Sequence, residues 1–139
     1  MITYQSEGVE LPELDYAKVS RWLTGVAAGY GRRIGEMVYL FCNDDKILST
    51  NREFLDHDYY TDIITFDYSL GPKIGGDILI SLDTVRSNAE ERGIDYPEEL
   101  LRVIVHGVLH LCGLKDKQPE DRDKMEAAEN AALRDFATA

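Results

Sequence analysis

Apolar side chains at positions 16, 19, 22, 23, 26, 27 and 30 return every three or four residues, which predicts an amphipathic helix over 15–31. Asp15 is its candidate N-cap and Gly31 its stop. MVYLFCN (37–43) breaks that rhythm, because aliphatic and aromatic residues run on almost without interruption, as in a buried strand. ITYQSE (2–7) is a short candidate strand ahead of both. DDKILSTNREFL (44–55) predicts a helix capped by one of its paired aspartates, and DIITFDYS (62–69) a further strand. GPKIGG (71–76) has the proline and glycines of a turn, and DILIS (77–81) the make-up of another strand. SLDTVRSNAEERG (81–93) reads as a helix between a Ser or Asp cap and a closing glycine. YPEELLRVIVHGVLHLCG (96–113) carries proline in its first turn with acids behind it; being apolar almost all round, it should be buried. PEDRDKMEAAENAALRDFA (119–137) is a final amphipathic helix. Strands gathered early, with helices to enclose them, predict an α+β fold with a small mixed β-sheet packed with helices.

At 139 residues the chain has the size of one ordinary domain, expected to span 1–139. No apolar run approaches the roughly 20 residues of a bilayer-spanning helix. MITYQSEGVELPELD is acidic where a secretory leader is basic, so the cytoplasm is the expected compartment. There Cys42 and Cys112, far apart and in no CxxC, are expected as reduced, mostly buried thiols. The formal net charge of −11 argues against nucleic-acid binding by bulk electrostatics. Its excess sits at the N-terminus and in the last helix, while the stretch holding Arg32, Arg33, Arg86, Arg92 and Arg102 is closer to balanced, so local recognition is left open.

The chemistry concentrates in HGVLHLCGLKD (106–116). His106 and His110 lie four apart on a predicted helix, so their rings share a face and can clasp one cation. Gly113 ends the helix in a conformation open to glycine, and the reversing chain brings Asp116 back toward the pair. Two nitrogens and one oxygen leave a coordination position open, the mark of a catalytic rather than structural zinc. The bland alternative is two helix histidines satisfied by backbone or carboxylate partners. Gly107 occupies the position of the catalytic glutamate of HExxH peptidases, so peptide hydrolysis would lack its usual base. His57 reads as a solvated surface residue, and Asp77 as either an acceptor behind a ligand histidine or a turn carboxylate.

His106, Gly107, Leu109, His110, Leu111 and Gly113 agree with HGxLHLxGYDH, and here the sequence resembles the YbeY family of bacterial endoribonucleases. Asn51, Phe54, Asp58, Thr61, Asp62 and Phe66 follow that family's NxxYRxxDxxTDVLSF, and GGDILIS (75–81) its GDIxIS strand. The resemblance implies a metal-dependent endoribonuclease selective for single-stranded RNA. It further implies roles in maturation of the 16S rRNA 3′ end and in ribosome quality control, with ribosomal partners. It implies one divalent ion, usually Zn2+, with His106 and His110 as two ligands and Asp116 standing where the family has a third histidine. The family's arginine falls on Leu55, so a nearby cation must replace it, with Arg52, Lys115 and Lys117 as candidates. Lys115 and Lys117 are candidate stabilisers of developing negative charge, and Arg52, Thr61 and Asp62 candidate substrate contacts at the rim of the metal cleft. Thr61 and Asp62 equally suit a turn and strand start. Two rivals remain at this point: a zinc metallopeptidase or other metal-dependent hydrolase, and a non-catalytic ribosome-associated metalloprotein.

Overall fold

Alternation along two central strands divides the apolar residues between two sheet faces, and that division places every helix. The computed structural model describes residues 1–54 and 61–139. Its elements run β1 (Ile2–Ser6), α1 (Tyr16–Gly29), β2 (Arg33–Cys42), α2 (Asp44–Phe54), β3 (Ile63–Asp67), β4 (Lys73–Ser81), α3 (Leu82–Arg92), α4 (Tyr96–Leu111) and α5 (Pro119–Thr138). The sheet order is β1-β2-β4-β3, with β1–β2 and β2–β4 parallel and β3–β4 antiparallel. Successive strand residues point to opposite faces. Tyr39, Phe41, Ile78 and Ile80 therefore join the main core with α1, α4 and α5, while Leu40, Cys42, Leu79 and Ile64 meet Ile47 of α2 on the other side. The predicted single α+β domain with a mixed sheet is the observed architecture.

Two boundaries differ from the sequence reading. β2 begins at Arg33, not Met37, and β4 begins at Lys73, inside the predicted turn 71–76. Both extensions come from pairing: Arg33 aligns with Lys73 and Ile34 with Ile74, with an irregularity before Met37. The glycines that read as a turn are close-approach residues in a strand. A Cβ on Gly75 would lie 2.7 Å from the Glu36 carbonyl oxygen, and one on Gly76 would collide with that of Phe66. Propensity yielded to pairing with strands on both sides.

Caps fix the helix ends. Asp15 accepts from the Lys18 amide as predicted, and Ser81 from that of Thr84. Asn43, rather than an aspartate, caps α2 by accepting from the Lys46 amide at 3.0 Å. Asp44 is thereby left to take the hydroxyls of Ser81 and Thr84, each at 2.6 Å, tying α2 to α3. α4 is the buried helix of the sequence reading, apolar on most of its circumference. It is anchored where Tyr39 donates to the Ile104 carbonyl at 2.7 Å. Cys42 and Cys112 are free and buried, as expected.

Candidate active site

Gly107 explains how α4 can lie so close to the sheet. It is buried, and a Cβ there would lie 2.9 Å from Ile78 Cδ1, 3.3 Å from Ile78 Cγ2 and 3.5 Å from Ile63 Cδ1. The position that carries the base in an HExxH peptidase points into packed aliphatic side chains here. The neighbouring His106 turns the other way, into a cavity of about 440 Å³ between α4, α5 and the entry to β3.

The His106 ring is held at both nitrogens. Its Nδ1 lies 2.8 Å from Oε2 of Glu129 on α5, and its Nε2 3.2 Å from Oδ2 of Asp116. Asp116 arrives there because α4 ends at Leu111 and Gly113 takes a φ of 104°, which reverses the chain. Glu129 is itself fixed, since Arg102 donates from Nη1 to Glu129 Oε1 at 3.1 Å and from Nη2 to Asn130 Oδ1 at 2.8 Å. Beyond Arg102 lies Glu99, buried, with Arg92 Nε 3.7 Å and Arg102 Nε 3.9 Å from its Oε1. Thr61 and Asp62 line the cavity as the motif reading anticipated. The Thr61 hydroxyl donates to the Ile63 carbonyl, and Asp62 accepts from Asn88 Nδ2 at 3.3 Å.

Burial by itself lowers the His106 pKa, but the hydrogen bond and charge of Glu129, with Asp116 and Asp62, outweigh it and raise the ring above the ordinary histidine value. Burial pushes the Asp62 carboxyl upward, against the pull of the His106 cation. Among the described residues the wall carries five carboxyl groups (Asp62, Glu99, Asp116, Glu126 and Glu129) and three guanidinium groups, those of Arg92, Arg102 and Arg122. A polyanion could approach this wall only with further positive charge in place.

His106 Nε2 and Asp116 Oδ2 together offer a divalent cation two donors. If Nδ1 donates to Glu129, Nε2 carries a lone pair facing a carboxylate oxygen, and two such acceptors need a proton or a cation between them. Two ligands at 2.0–2.2 Å from one tetrahedral ion lie about 3.4 Å apart, near the observed 3.2 Å. Glu129 stands where a carboxylate orients a ligand imidazole through its second nitrogen. His110, in the last turn of α4, is exposed and outside the cavity wall. Among the described residues, no three His, Cys, Asp or Glu side chains meet as a metal cluster. Lys115 and Lys117 flank Asp116, exposed and outside the wall, and Arg52 is exposed on α2. Asp77 sits within β4 rather than in a turn, and among the described residues it accepts from the Tyr68 hydroxyl at 3.4 Å and from no histidine. His57 and Leu55 lie outside the described residues.

Glu129, Arg102 and Glu99 were missed in the sequence reading. Their signal was present as charged residues on the buried stripes of otherwise apolar helix faces, Glu99 and Arg102 at i,i+3 on α4 and Glu129 between Met125 and Ala132 on α5.

A histidine held between carboxylates in a polar cleft, behind a helix end shaped by glycine, marks the candidate centre of an enzyme-like α+β domain. Comparison with known proteins narrows this class. The family model for endoribonuclease YbeY matches residues 1–137. The endoribonuclease YbeY of Phocaeicola vulgatus is 60% identical over 133 residues, covering 96% of this chain and 96% of that protein. That of Bacteroides thetaiotaomicron is 57% identical over 132 residues, covering 95% and 96%. The solution structure of TM1509 from Thermotoga maritima shares the fold, with a TM-score of 0.61 at 22% identity over 98% of this chain and 89% of that one. The chain belongs to the endoribonuclease YbeY family.

Proposed function

We propose that residues 1–139 form a metal-dependent endoribonuclease that cuts single-stranded RNA, with His106, His110 and Asp116 holding one Zn2+ ion. Its substrate class is precursor rRNA, its setting the maturation of the 16S rRNA 3′ end and ribosome quality control, and its compartment the cytoplasm. The observation that carries the reading is the His106 ring, fixed by Glu129 with Nε2 turned to Asp116 inside an open cavity, in a chain this similar to endoribonucleases. His110 supports it by spacing, one turn along the same face of α4 as His106. Among the described residues, no helix is long and apolar enough to cross a membrane.

The bound ion would supply Lewis acidity toward a phosphate oxygen. The chain's own groups do the rest. Glu129 holds the imidazole in place, and Asp116 adds an anionic donor beside it. Thr61 and Asp62 form the rim over which an extended strand passes, and Arg92 and Arg122 present cations to its phosphates. Lys115 and Lys117 stand beside Asp116 as exposed candidate countercharges, and Arg52 as a candidate outer contact. Gly107 makes peptide hydrolysis a poor alternative, because a side chain there would start against the buried Ile78.

The test pairs metal content with cleavage. Protein purified without chelator should carry one zinc per chain and cut a single-stranded RNA while leaving casein whole. Alanine at His106, His110 or Asp116 should abolish stoichiometric zinc and cleavage together, and His57→Ala should leave both intact. Undiminished zinc in the three ligand variants would remove the site, and His110-dependent casein turnover with RNA untouched would hand the cleft to a peptidase.

A further inference from the structure

The pairing of Arg102 with His106 through one carboxylate has a consequence for which ring nitrogen faces the cavity. Both residues stand on α4, four positions apart, so both reach the same side chain of α5. Glu129 gives one oxygen to each: Oε1 to Arg102 and Oε2 to His106. Arg102 cannot easily turn away, because its other terminal nitrogen is bound to Asn130 and its side chain is only 13% exposed. Arg102, tethered through Nη2 to Asn130, holds Oε1 of Glu129 through Nη1, so that with Oε2 on the His106 ring the carboxylate is held at both oxygens.

We propose that Arg102 is a positioning residue that selects the tautomer of His106, holding the proton on Nδ1 so that Nε2 presents its lone pair to the cavity. Nε2 lies 3.2 Å from the Asp116 carboxylate, so an imidazole that loses its hold on Nδ1 can carry its proton on Nε2 toward Asp116, and in that form it offers the cavity a donor instead of a ligand. Removing Arg102 leaves Glu129 Oε1 without its partner. The carboxylate can then swing toward water, and the hold on Nδ1 is lost. Glu99 completes the device from behind, since among the described residues its buried Oε1 has no hydrogen-bond partner and faces the likewise unbonded Arg102 Nε at 3.9 Å. That carboxylate stands on the Nε side of the guanidinium and leaves the Nη1 and Nη2 donors to Glu129 and Asn130.

The role given to the lone pair rests on the metal reading above, but the tautomer is measurable without any metal. Ring-nitrogen chemical shifts of the metal-free protein are recorded at a pH where all three imidazoles are neutral, with His106 assigned by comparison with His106→Gln. Wild type should show the Nδ1–H form at His106. Arg102→Met should shift it toward Nε2–H, and Arg102→Lys, whose ammonium still reaches Glu129, should keep Nδ1–H. The double variant Glu99→Gln/Arg102→Met, which leaves no unpaired charge at Glu99, serves if the single change does not fold. Zinc added alone should bind the Met variant 10–100-fold more weakly and the Lys variant nearly as wild type. An Nε2–H ring in wild type, or an Nδ1–H ring unmoved in the folded Met variant, would overturn the proposal. The predicted tautomers with no zinc binding in wild type would uphold it and defeat the metal reading instead.

Discussion

Gly107→Glu restores the peptidase motif in letters, and the structure predicts that it removes much of the fold's stability. The new Cβ begins 2.9 Å from Ile78 Cδ1 and 3.5 Å from Ile63 Cδ1, with Ile78 fully buried between α4 and the sheet. Overpacking of this kind costs about 1–3 kcal/mol. The carboxyl would also sit among aliphatic groups without a partner, and holding a glutamate neutral at pH 7 costs roughly 4 kcal/mol from its ordinary pKa. Together these reach about 5–7 kcal/mol, against a total stability of about 5–15 kcal/mol for a domain of this kind. Gly107→Ala is the control. Its clash meets the movable end of Ile78, and the helix gains about 1 kcal/mol from replacing glycine, so the net loss should be about 0–2 kcal/mol. Urea unfolding followed by Trp22 fluorescence reports on both, since this single tryptophan is buried, packs edge-on against Phe136 and donates to the Ala132 carbonyl. A folded Gly107→Glu protein with the wild-type midpoint would refute the packing account, and casein cleavage by it would refute the orientation as well.

Tyr39→Phe removes the hydroxyl that donates to Ile104 and should lower stability by about 1 kcal/mol in the same urea assay, without changing zinc content. Burial raises the Glu99 carboxyl above its ordinary 4.5, against Arg92 and Arg102. The folded state thus keeps that proton to higher pH than the unfolded chain, and its stabilising effect is present below 4.5 and lost as pH rises through the raised folded value. Denaturation midpoints should accordingly fall less with rising pH in Glu99→Gln than in wild type, and parallel curves would refute the assignment. Burial pushes the Cys42 thiol up to about 12, so a thiol reagent at mildly alkaline pH should leave it unmodified until the protein unfolds; rapid modification of native Cys42 would contradict its placement in the core.

Helix periodicity made α1, α3, α4 and α5 legible in the sequence, because a 3.6-residue repeat and its caps are local properties. The path of residues 106–116 was legible too, since the helix and its reversal at Gly113 are local, and that path brings Asp116 to His106 while His110 stays exposed one turn on. Only the tertiary structure decided that Lys73–Gly76 continue a strand, because the reason lies in the carbonyls of Glu36 and Phe66 on neighbouring strands. The same holds for Gly107, whose missing side chain reads as missing chemistry in the sequence and as helix-to-sheet contact in the fold. The environment of His106 was the least legible of all. Glu129 and Arg102 stand 23 residues after and 4 before it, on two helices whose packing alone brings one carboxylate against both. A charge on a buried helix stripe announces that some partner exists, and only the docking of α5 on α4 names which partner it is.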